Sequence, residues 1–188
     1  MSDTFSDRNQ LVRFQGSFAA AAGDIPIASL ASGLAGQVIG GVTPAYLYPP
    51  GFEIAYDQIT TGVNVASTTE GTPTAIIAGT SHVYENVAYV FEFYSPSVTD
   101  SSAAGGTVTA LLIQDASSIG RLAVAESVAA TTQVILALVG KYRFTPTAGA
   151  HTYGVSAFAS SATGTPAIGA GAGGSGTLVP AYLRVTKA

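Results

Sequence analysis

From residue 52 onward, apolar and polar residues alternate with the period of two that is typical of β-strands. The clearest run spans residues 87–94 and stops at Ser95-Pro96, and another spans residues 107–114 after the Gly105-Gly106 turn. The other predicted strands are residues 54–61, 63–67, 74–78, 81–84, 119–126, 134–144, 151–159 and 179–186. No stretch in this half has the pattern of the helices that a parallel sheet needs as crossovers. We therefore predict an all-β fold, an antiparallel β-sandwich of the jelly-roll type.

The pattern changes near Pro49-Pro50-Gly51, which divides the chain into an extended N-terminal arm, residues 1–50, and a jelly-roll domain, residues 51–188. Residues 25–52 contain no Asp, Glu, Lys or Arg. Prolines and glycines interrupt this tract, so we predict an extended, sheltered segment that does not span a membrane. Residues 163–177 are rich in Gly, Ala and Ser and carry no charge, so they are predicted to form a long loop. It is not a phosphate-binding loop, because no Lys-Ser/Thr follows its glycines.

Charged residues make up 10% of the chain, against about 25% in a typical soluble domain. A surface so poor in charge favours self-association, so we predict that identical subunits or a larger assembly cover much of it. The alternative is a monomer with a neutral surface of Ser, Thr and Gly. Neighbouring chains are expected along two tracts without Asp, Glu, Lys or Arg, residues 25–52 and 144–183. The net charge of −4 and the scattered basic residues argue against a nucleic-acid partner.

Few residues of this chain are suited to catalysis. It has no cysteine, and its two histidines, His82 and His151, lack the spacing of metal ligands. The Gly-x-Ser-x-Gly motif of many serine hydrolases is absent. Glu92 stands between Phe91 and Phe93, which places it on the opposite face of its strand, towards solvent. We predict a protein that is not an enzyme and that holds no metal and no cofactor.

Aromatic residues are concentrated in one region, which contains Tyr84, Tyr89, Phe91, Phe93 and Tyr94. On a strand they alternate between the two faces, so one set enters the core and the other set is left outside. Of the outer set, we expect Tyr89 or Tyr94 to pack across a subunit interface. Two alternatives remain open at this point: that the cluster serves the core alone, or that exposed tyrosines bind sugar.

One short stretch combines Ser32-Gly33, Gly36-Gln37-Val38-Ile39 and Pro44-Ala45-Tyr46. With these residues it resembles an element of bacteriophage fibres and related virion proteins. The family usually has Trp where this chain has Tyr46, and the intervening loop is shortened here. In that family the element precedes or links trimeric domains.

Four further stretches follow one another along the chain, residues 50–60, 90–96, 144–153 and 180–186. Together they resemble the jelly-roll domain of phage virion proteins, particularly those of phages of actinobacteria. Such domains are similar to the trimeric tumour-necrosis-factor and C1q-like folds. The two resemblances together cover about residues 29–188, whereas residues 1–24 match nothing.

These resemblances imply a homotrimer on the virion surface, made in the host cytoplasm, most plainly a capsid decoration protein or a short head fibre. The arm would anchor it to the major capsid protein or to a tail protein, with no membrane and no nucleic acid involved. The alternative is a tail-associated receptor-binding protein that recognises a host surface glycan. The residues expected at the oligomer or virion interface are Leu30, Leu34, Val38, Ile39, Tyr46, Tyr48, Tyr89, Tyr94 and Tyr182.

Overall fold

The computed structural model describes residues 38–40, 45–99, 106–126 and 135–188, and their regular structure consists of strands. The strands are β1 (Val38–Gly40), β2 (Ala45–Leu47), β3 (Glu53–Ile59), β4 (Val63–Asn64), β5 (Thr74–Ile77), β6 (Ser81–Tyr84), β7 (Tyr89–Thr99), β8 (Thr107–Gln114), β9 (Ser117–Glu126), β10 (Ile135–Phe144), β11 (Gly149–Ala159), β12 (Ala167–Gly169) and β13 (Ala181–Lys187). The chain divides into two compact units, Met1–Pro49 and Pro50–Ala188. In the first unit, β1 and β2 form an antiparallel pair in which Ile39 is opposite Tyr46.

The second unit contains two antiparallel sheets. Sheet I has the strand order β10, β7, β13, β3. Strand β7 is longer than β13, so the short strand β12 pairs with the same edge of β7 beyond the end of β13, and β12 pairs in turn with β4. Sheet II has the order β9, β8, β11, with β5 and β6 sharing the far edge of β11. If β5 and β6 count as one interrupted strand, the eight main strands form two four-stranded sheets with the strand order of a jelly roll. The predicted fold class is confirmed for this unit; most of the predicted arm lies outside the described residues.

The core lies between the two sheets and is built by the alternation that the sequence displays. In β7, Tyr89, Phe91 and Phe93 are fully buried, while the residues between them point to the outside. The facing strands of sheet II supply smaller side chains from every second position, and these interdigitate with the aromatics. The main core residues of sheet II are Val108, Ala110, Leu112, Tyr153, Val155 and Ala157.

Glycines allow backbones to approach each other at two sides of the sandwich. Between β5 and β6 the chain passes directly over β11, and a Cβ at Gly79 would lie only 1.6 Å from the Tyr153 carbonyl oxygen. On the other side, β10 of sheet I approaches β9 of sheet II, and a Cβ at Gly140 would lie 2.5 Å from the Leu122 carbonyl oxygen. Any side chain at these positions would have to push two backbones apart.

The prediction of a plain loop over residues 163–177 is wrong in its middle. Residues Ala167–Gly169 form β12, which pairs with both β4 and β7, and Ile168 is fully buried in the core. Small residues fit here because the backbones are close: a Cβ at Gly169 would lie 2.8 Å from the Ser97 carbonyl oxygen. Gly169 is therefore required by close packing against β7, which composition alone cannot distinguish from a turn glycine such as Gly173 or Gly176, whose φ angles are positive.

Candidate functional site

The outer face of sheet I carries three rows of side chains that run across its strands. The register places Arg184 opposite Glu92 and Tyr182 opposite Tyr94, and both strands alternate these residues with buried core positions. From β10 across β7 and β13 to β3, the rows are Val139–Tyr94–Tyr182–Gln58, Lys141–Glu92–Arg184–Tyr56 and Arg143–Val90–Thr186–Glu53. We call these the tyrosine row, the charged row and the outer row.

Three tyrosine rings stack on one another across this face. The Tyr182 ring centroid lies 5.1 Å from that of Tyr56 and 5.4 Å from that of Tyr94, with interplanar angles of 25° and 28°. These distances are close to the spacing of neighbouring strands, about 4.8 Å, so the rings stand on the sheet with their faces towards each other. The Tyr182 ring is covered on both faces, and the stack presents ring edges and hydroxyl groups outward.

Glu92 holds the centre of the face together. Its carboxylate lies 2.7 Å from the Lys141 ammonium and 3.2 Å from the Arg184 guanidinium, and it accepts a hydrogen bond of 3.1 Å from the Tyr182 hydroxyl. The hydrogen bond from Lys141 holds the pKa of Glu92 below its ordinary value, against the opposing effect of burial. Glu92 does lie on the face opposite Phe91 and Phe93, as the sequence indicates, but its neighbours leave only 12% of its side chain exposed.

The edges of this face carry opposite charges. Lys141 and Arg143 lie on β10, and Glu53 lies on β3 at the far side. Arg143 and Glu53 are exposed and have no ion pair within the described part of the chain. Apolar surface is exposed beside them, since Val139 is 57% and Tyr56 is 46% accessible.

The structure brings together two of the predicted interface residues, Tyr94 and Tyr182. Tyr89 is not on this face: it is fully buried in the core, and its hydroxyl accepts a hydrogen bond of 3.1 Å from the Glu85 amide. Its side chain is therefore not accessible to a partner chain, which corrects the choice between Tyr89 and Tyr94. Strand parity explains the difference, since residues 89 and 94 must point to opposite faces.

The remaining predicted interface residues belong to the first unit or lie outside the described residues. Tyr48 is half-buried. The backbones of Val38 and Ile39 belong to β1, and that of Tyr46 belongs to β2. Leu30 and Leu34 lie outside the described residues.

Sequence reasoning missed several residues of the face, namely Tyr56, Val139, Lys141 and Arg143. Each occupies an outward position of a strand that the pattern predicts, so alternation alone could have placed each of them on one side. What was missing is the pairing of β3 with β13 and of β10 with β7, which unites them on a single face.

The other aromatic residues of the predicted cluster belong to the core. Tyr84 contacts Tyr89 and Tyr153 in edge-on arrangements, with ring centroids 5.2 and 4.9 Å apart. The hydroxyls of Tyr84 and Tyr153 are buried without a hydrogen-bond partner in the described part of the protein. Burial raises the pKa of Tyr153 to about 12, so this hydroxyl is protonated at any physiological pH.

His151 joins two turns at one end of the sandwich. Its Nδ1 lies 2.7 Å from an Asp115 carboxylate oxygen, and its Nε2 lies 3.0 Å from the Thr147 hydroxyl and 3.2 Å from the Thr147 carbonyl oxygen. Hydroxyl, imidazole and carboxylate are connected in the order of a hydrolase triad. However, Nε2 also faces a carbonyl, which can only accept a hydrogen bond. We therefore infer that the cluster has a structural role and connects the β8–β9 turn to the β10–β11 loop.

Acidification should weaken this connection through Asp115. A hydrogen bond from the Thr152 amide, and secondarily one from His151, holds the pKa of Asp115 below its ordinary value of 3.8. A lowered pKa means that the stabilisation is complete above that ordinary value and is lost as the pH falls through the lower folded value. We expect the melting temperature of D115N to depend less on pH than that of the wild type below about pH 4.

The comparison requires melting curves of both proteins across the acidic range. E126Q is the matched control, because Glu126 is exposed at the end of β9 and forms no ion pair within the described residues. If the D115N and wild-type curves stay parallel down to about pH 2, Asp115 contributes no pH-dependent stability.

Sheet II carries a shallow apolar groove of about 370 Å³ on its outer face. Its floor is formed by Gly154 and Ser156 of β11, with Ala75 and Ile113 on either side. The lining residues include no aromatic and no charged side chain. Sugar sites generally combine an exposed ring face with polar groups, so this groove does not have the composition of a glycan site.

The described residues contain no group of three or more His, Cys, Asp or Glu residues arranged to hold a metal ion. Within the same residues, no helix has the length and apolar character needed to cross a membrane.

Comparison with known proteins finds no relative in sequence and a distant structural similarity. No protein-family model matches the chain, and no curated protein sequence matches it. Among solved structures, a carbohydrate-binding module from Cellvibrio mixtus lichenase 5A, in complex with cellotriose, is similar at 15% sequence identity and a TM-score of 0.34. The similarity covers 73% of this chain and 99% of the module. At this identity and TM-score, nothing about ligand or activity carries over.

Proposed function

We propose that this protein is a non-enzymatic structural protein of a bacteriophage virion, and that its jelly roll forms a homotrimer displayed on the particle surface. Its role would be that of a capsid decoration protein or a short head fibre. The observation that carries the proposal is the outer face of sheet I, where three stacked tyrosines and exposed Val139 lie beside Arg143 and Arg184.

Such a face has the composition of a protein–protein interface. Tyr and Arg are enriched at interface centres, where a ring buries a large apolar area and its hydroxyl still finds a partner. The stacked tyrosines are already held in place by each other and by Glu92, so little side-chain entropy is lost when a partner covers them. The low charge of the whole chain supports the same conclusion, because surfaces of this kind favour self-association.

The position of the chain ends supports an anchoring role for the arm. The jelly roll begins beside its own C-terminal strand: the Gly51 amide donates to the Lys187 carbonyl at 2.7 Å, and the Lys187 amide donates to the Phe52 carbonyl at 2.9 Å. A segment that precedes Gly51 therefore joins this end of the sandwich. The turns around residues 65–73 and 160–166 lie at the other end of the strands.

The alternative function, recognition of a host glycan by a tail-associated receptor-binding protein, has less support from the described geometry. Sugars stack on exposed ring faces, but both faces of Tyr182 are covered by Tyr56 and Tyr94, which leaves Tyr56, at the end of the stack, as the exposed ring. The groove on sheet II lacks aromatic residues altogether. A reproducible hit on a glycan array would nevertheless favour this alternative over the structural role.

The trimer is tested by light scattering of the full chain at micromolar concentration. We expect the wild type to have the mass of three chains and the double variant Y94S/Y182S to shift towards the monomer, because it removes two of the three stacked rings and with them the support of Tyr56 at the β3 edge. V83S is the matched control, since Val83 is 70% exposed on β6 of the other sheet. A monomeric wild type under these conditions would overturn the proposal.

The virion role is tested by counting copies in purified particles of the phage that encodes the chain. Quantitative mass spectrometry against the major capsid protein gives the ratio directly. A decoration protein should be present in hundreds of copies per particle, whereas a tail-tip protein would be present in only a few. Absence from the particle would refute the structural role.

A further inference from the structure

The outer row of sheet I ends in two opposite charges that cannot meet within one chain. Arg143 on β10 and Glu53 on β3 lie at its two ends, separated by Val90 and Thr186. Crossing three strand spacings of about 4.8 Å each puts their backbones about 14 Å apart. Neither residue has an ion pair within the described residues, so both charges face solvent in the single chain.

Between these two ends one carboxylate faces two cations, so the negative charge of Glu92 is compensated and one positive charge is left over. Glu92 pairs with Arg184 at 3.2 Å and with Lys141 at 2.7 Å. What remains is a positive β10 edge, with Arg143 and the half-exposed Lys141, and a negative β3 edge with Glu53. The outer face of sheet I is therefore polarised, with positive charge at the β10 edge and negative charge at the β3 edge.

This polarity selects one way of joining two copies. If two β10 edges met, Arg143 and Lys141 would be placed against their own like charges, which is costly. If the β10 edge of one copy met the β3 edge of the next, the charges would be complementary. A contact between two different surfaces is heterologous, and it produces a closed ring when the rotation permits.

The rows also define which residues would meet. Rotation about an axis nearly parallel to the strands keeps every row at the same height along that axis. The outer row of one copy then continues into the outer row of the next copy, and the charged row into the charged row. Arg143 thus faces Glu53 of the next copy, and Lys141 faces Tyr56 of the next copy.

We propose that the homotrimer closes by an edge-to-edge contact of sheet I in which Arg143 of each copy forms an ion pair with Glu53 of the next copy. The inference rests on the proposed homotrimer and identifies the two surfaces that meet. Tyr56 supports it independently. It lies at the β3 end of the tyrosine stack and is 46% exposed, so it offers ring surface to a cation such as Lys141 of the neighbouring copy.

The test is a charge exchange in the full-length protein. The single variants R143E and E53R each place two like charges at the contact, and we expect each to raise the dissociation constant of the trimer about tenfold or more. The double variant R143E/E53R restores opposite charges and should return to within about threefold of the wild type. Sedimentation over a dilution series measures all three constants, and high salt should reduce the differences between them.

The control is E126R, which reverses an exposed charge on β9, outside sheet I, and should leave the trimer unchanged. Thermal unfolding of every variant checks that the fold itself is retained. If the wild type is trimeric and the single variants dissociate no more than E126R, or if the double variant is not rescued, the edge-to-edge pairing is wrong while the trimer stands. If the wild type is a monomer, the proposed function fails and this contact fails with it.

Discussion

Substitution of Gly79 by alanine is expected to destabilise the jelly roll by about 3 kcal/mol or more. The new Cβ would lie 1.6 Å from the Tyr153 carbonyl oxygen, far inside van der Waals contact. The obstructing atom is backbone in the middle of β11 and cannot rotate away as a side-chain end could. The chain between β5 and β6 would have to lift off sheet II, and hydrogen bonds on both sides of it would lengthen.

Chemical denaturation of G79A and of G71A provides the measurement. A Cβ at Gly71 meets nothing within 4 Å, so that alanine should change the free energy of unfolding by no more than about 0.5 kcal/mol. Equal stability of G79A and G71A would mean that the close passage over β11 is not present in solution.

Truncation of Phe91 to alanine is expected to cost about 3–5 kcal/mol. Its ring is fully buried and links the two sheets, with its centroid 4.5 Å from the Tyr153 ring of β11 and 6.4 Å from the Phe144 ring of β10. Removing it loses the transfer free energy of the ring and leaves a cavity, because strands on both sides hold the surrounding side chains in place.

The matched control for F91A is the same change at Phe158. That ring lies on the outer face of sheet II, half-buried, with the Arg121 guanidinium 5.7 Å from its centroid. F158A should therefore cost clearly less than F91A when the free energies of unfolding are compared. If the two costs were equal, Phe91 would not occupy the centre of the core.

Gly79 and Phe91 determine the stability of the jelly roll, whereas the interface variants alter the outer face of sheet I. Because Phe91 and Phe93 anchor one face of β7 in the core, the opposite face of the same strand is held rigidly towards the outside. Glu92 occupies that face and pairs with Lys141, so the core indirectly positions a residue that we propose to meet a neighbouring copy. Y94S/Y182S and R143E change only that outer face and should leave the core intact.

The strands were largely predictable, because each has one buried face and one accessible face. In β7 and β13 the burial pattern alternates at nearly every residue, as the sequence does. The failure at β12 has a physical reason. Strand β12 has only three residues, Ala-Ile-Gly, and two of them are small. They form a strand because the backbone of β7 lies beside them, and the local sequence does not reveal this neighbour.

The candidate face was predictable only in part. Tyr94 and Tyr182 could be named from their aromatic character, and the same reasoning selected Tyr89, which is buried. Position within the alternating strand separates Tyr89 from Tyr94, and Tyr89 has the same parity as Phe91 and Phe93, so the placement of these two rings in the core already implies that Tyr89 is buried. Tyr56 was not named, since nothing near it in the sequence indicates that it stacks on a residue more than a hundred positions away.

By itself, the amino-acid sequence determined that the unit from residue 50 onward is built of strands, that these form a sandwich, and that the chain is poor in charge. These properties depend on local alternation and on composition, both of which can be read along the chain. Only the tertiary structure decided that Arg143 and Glu53 end the same row and that the tyrosines share one stack. The reason is register: a shift of one residue in the pairing of β3, β13, β7 or β10 would turn a whole set of side chains to the other face. That register is set by contacts between distant segments, through the core that they enclose together.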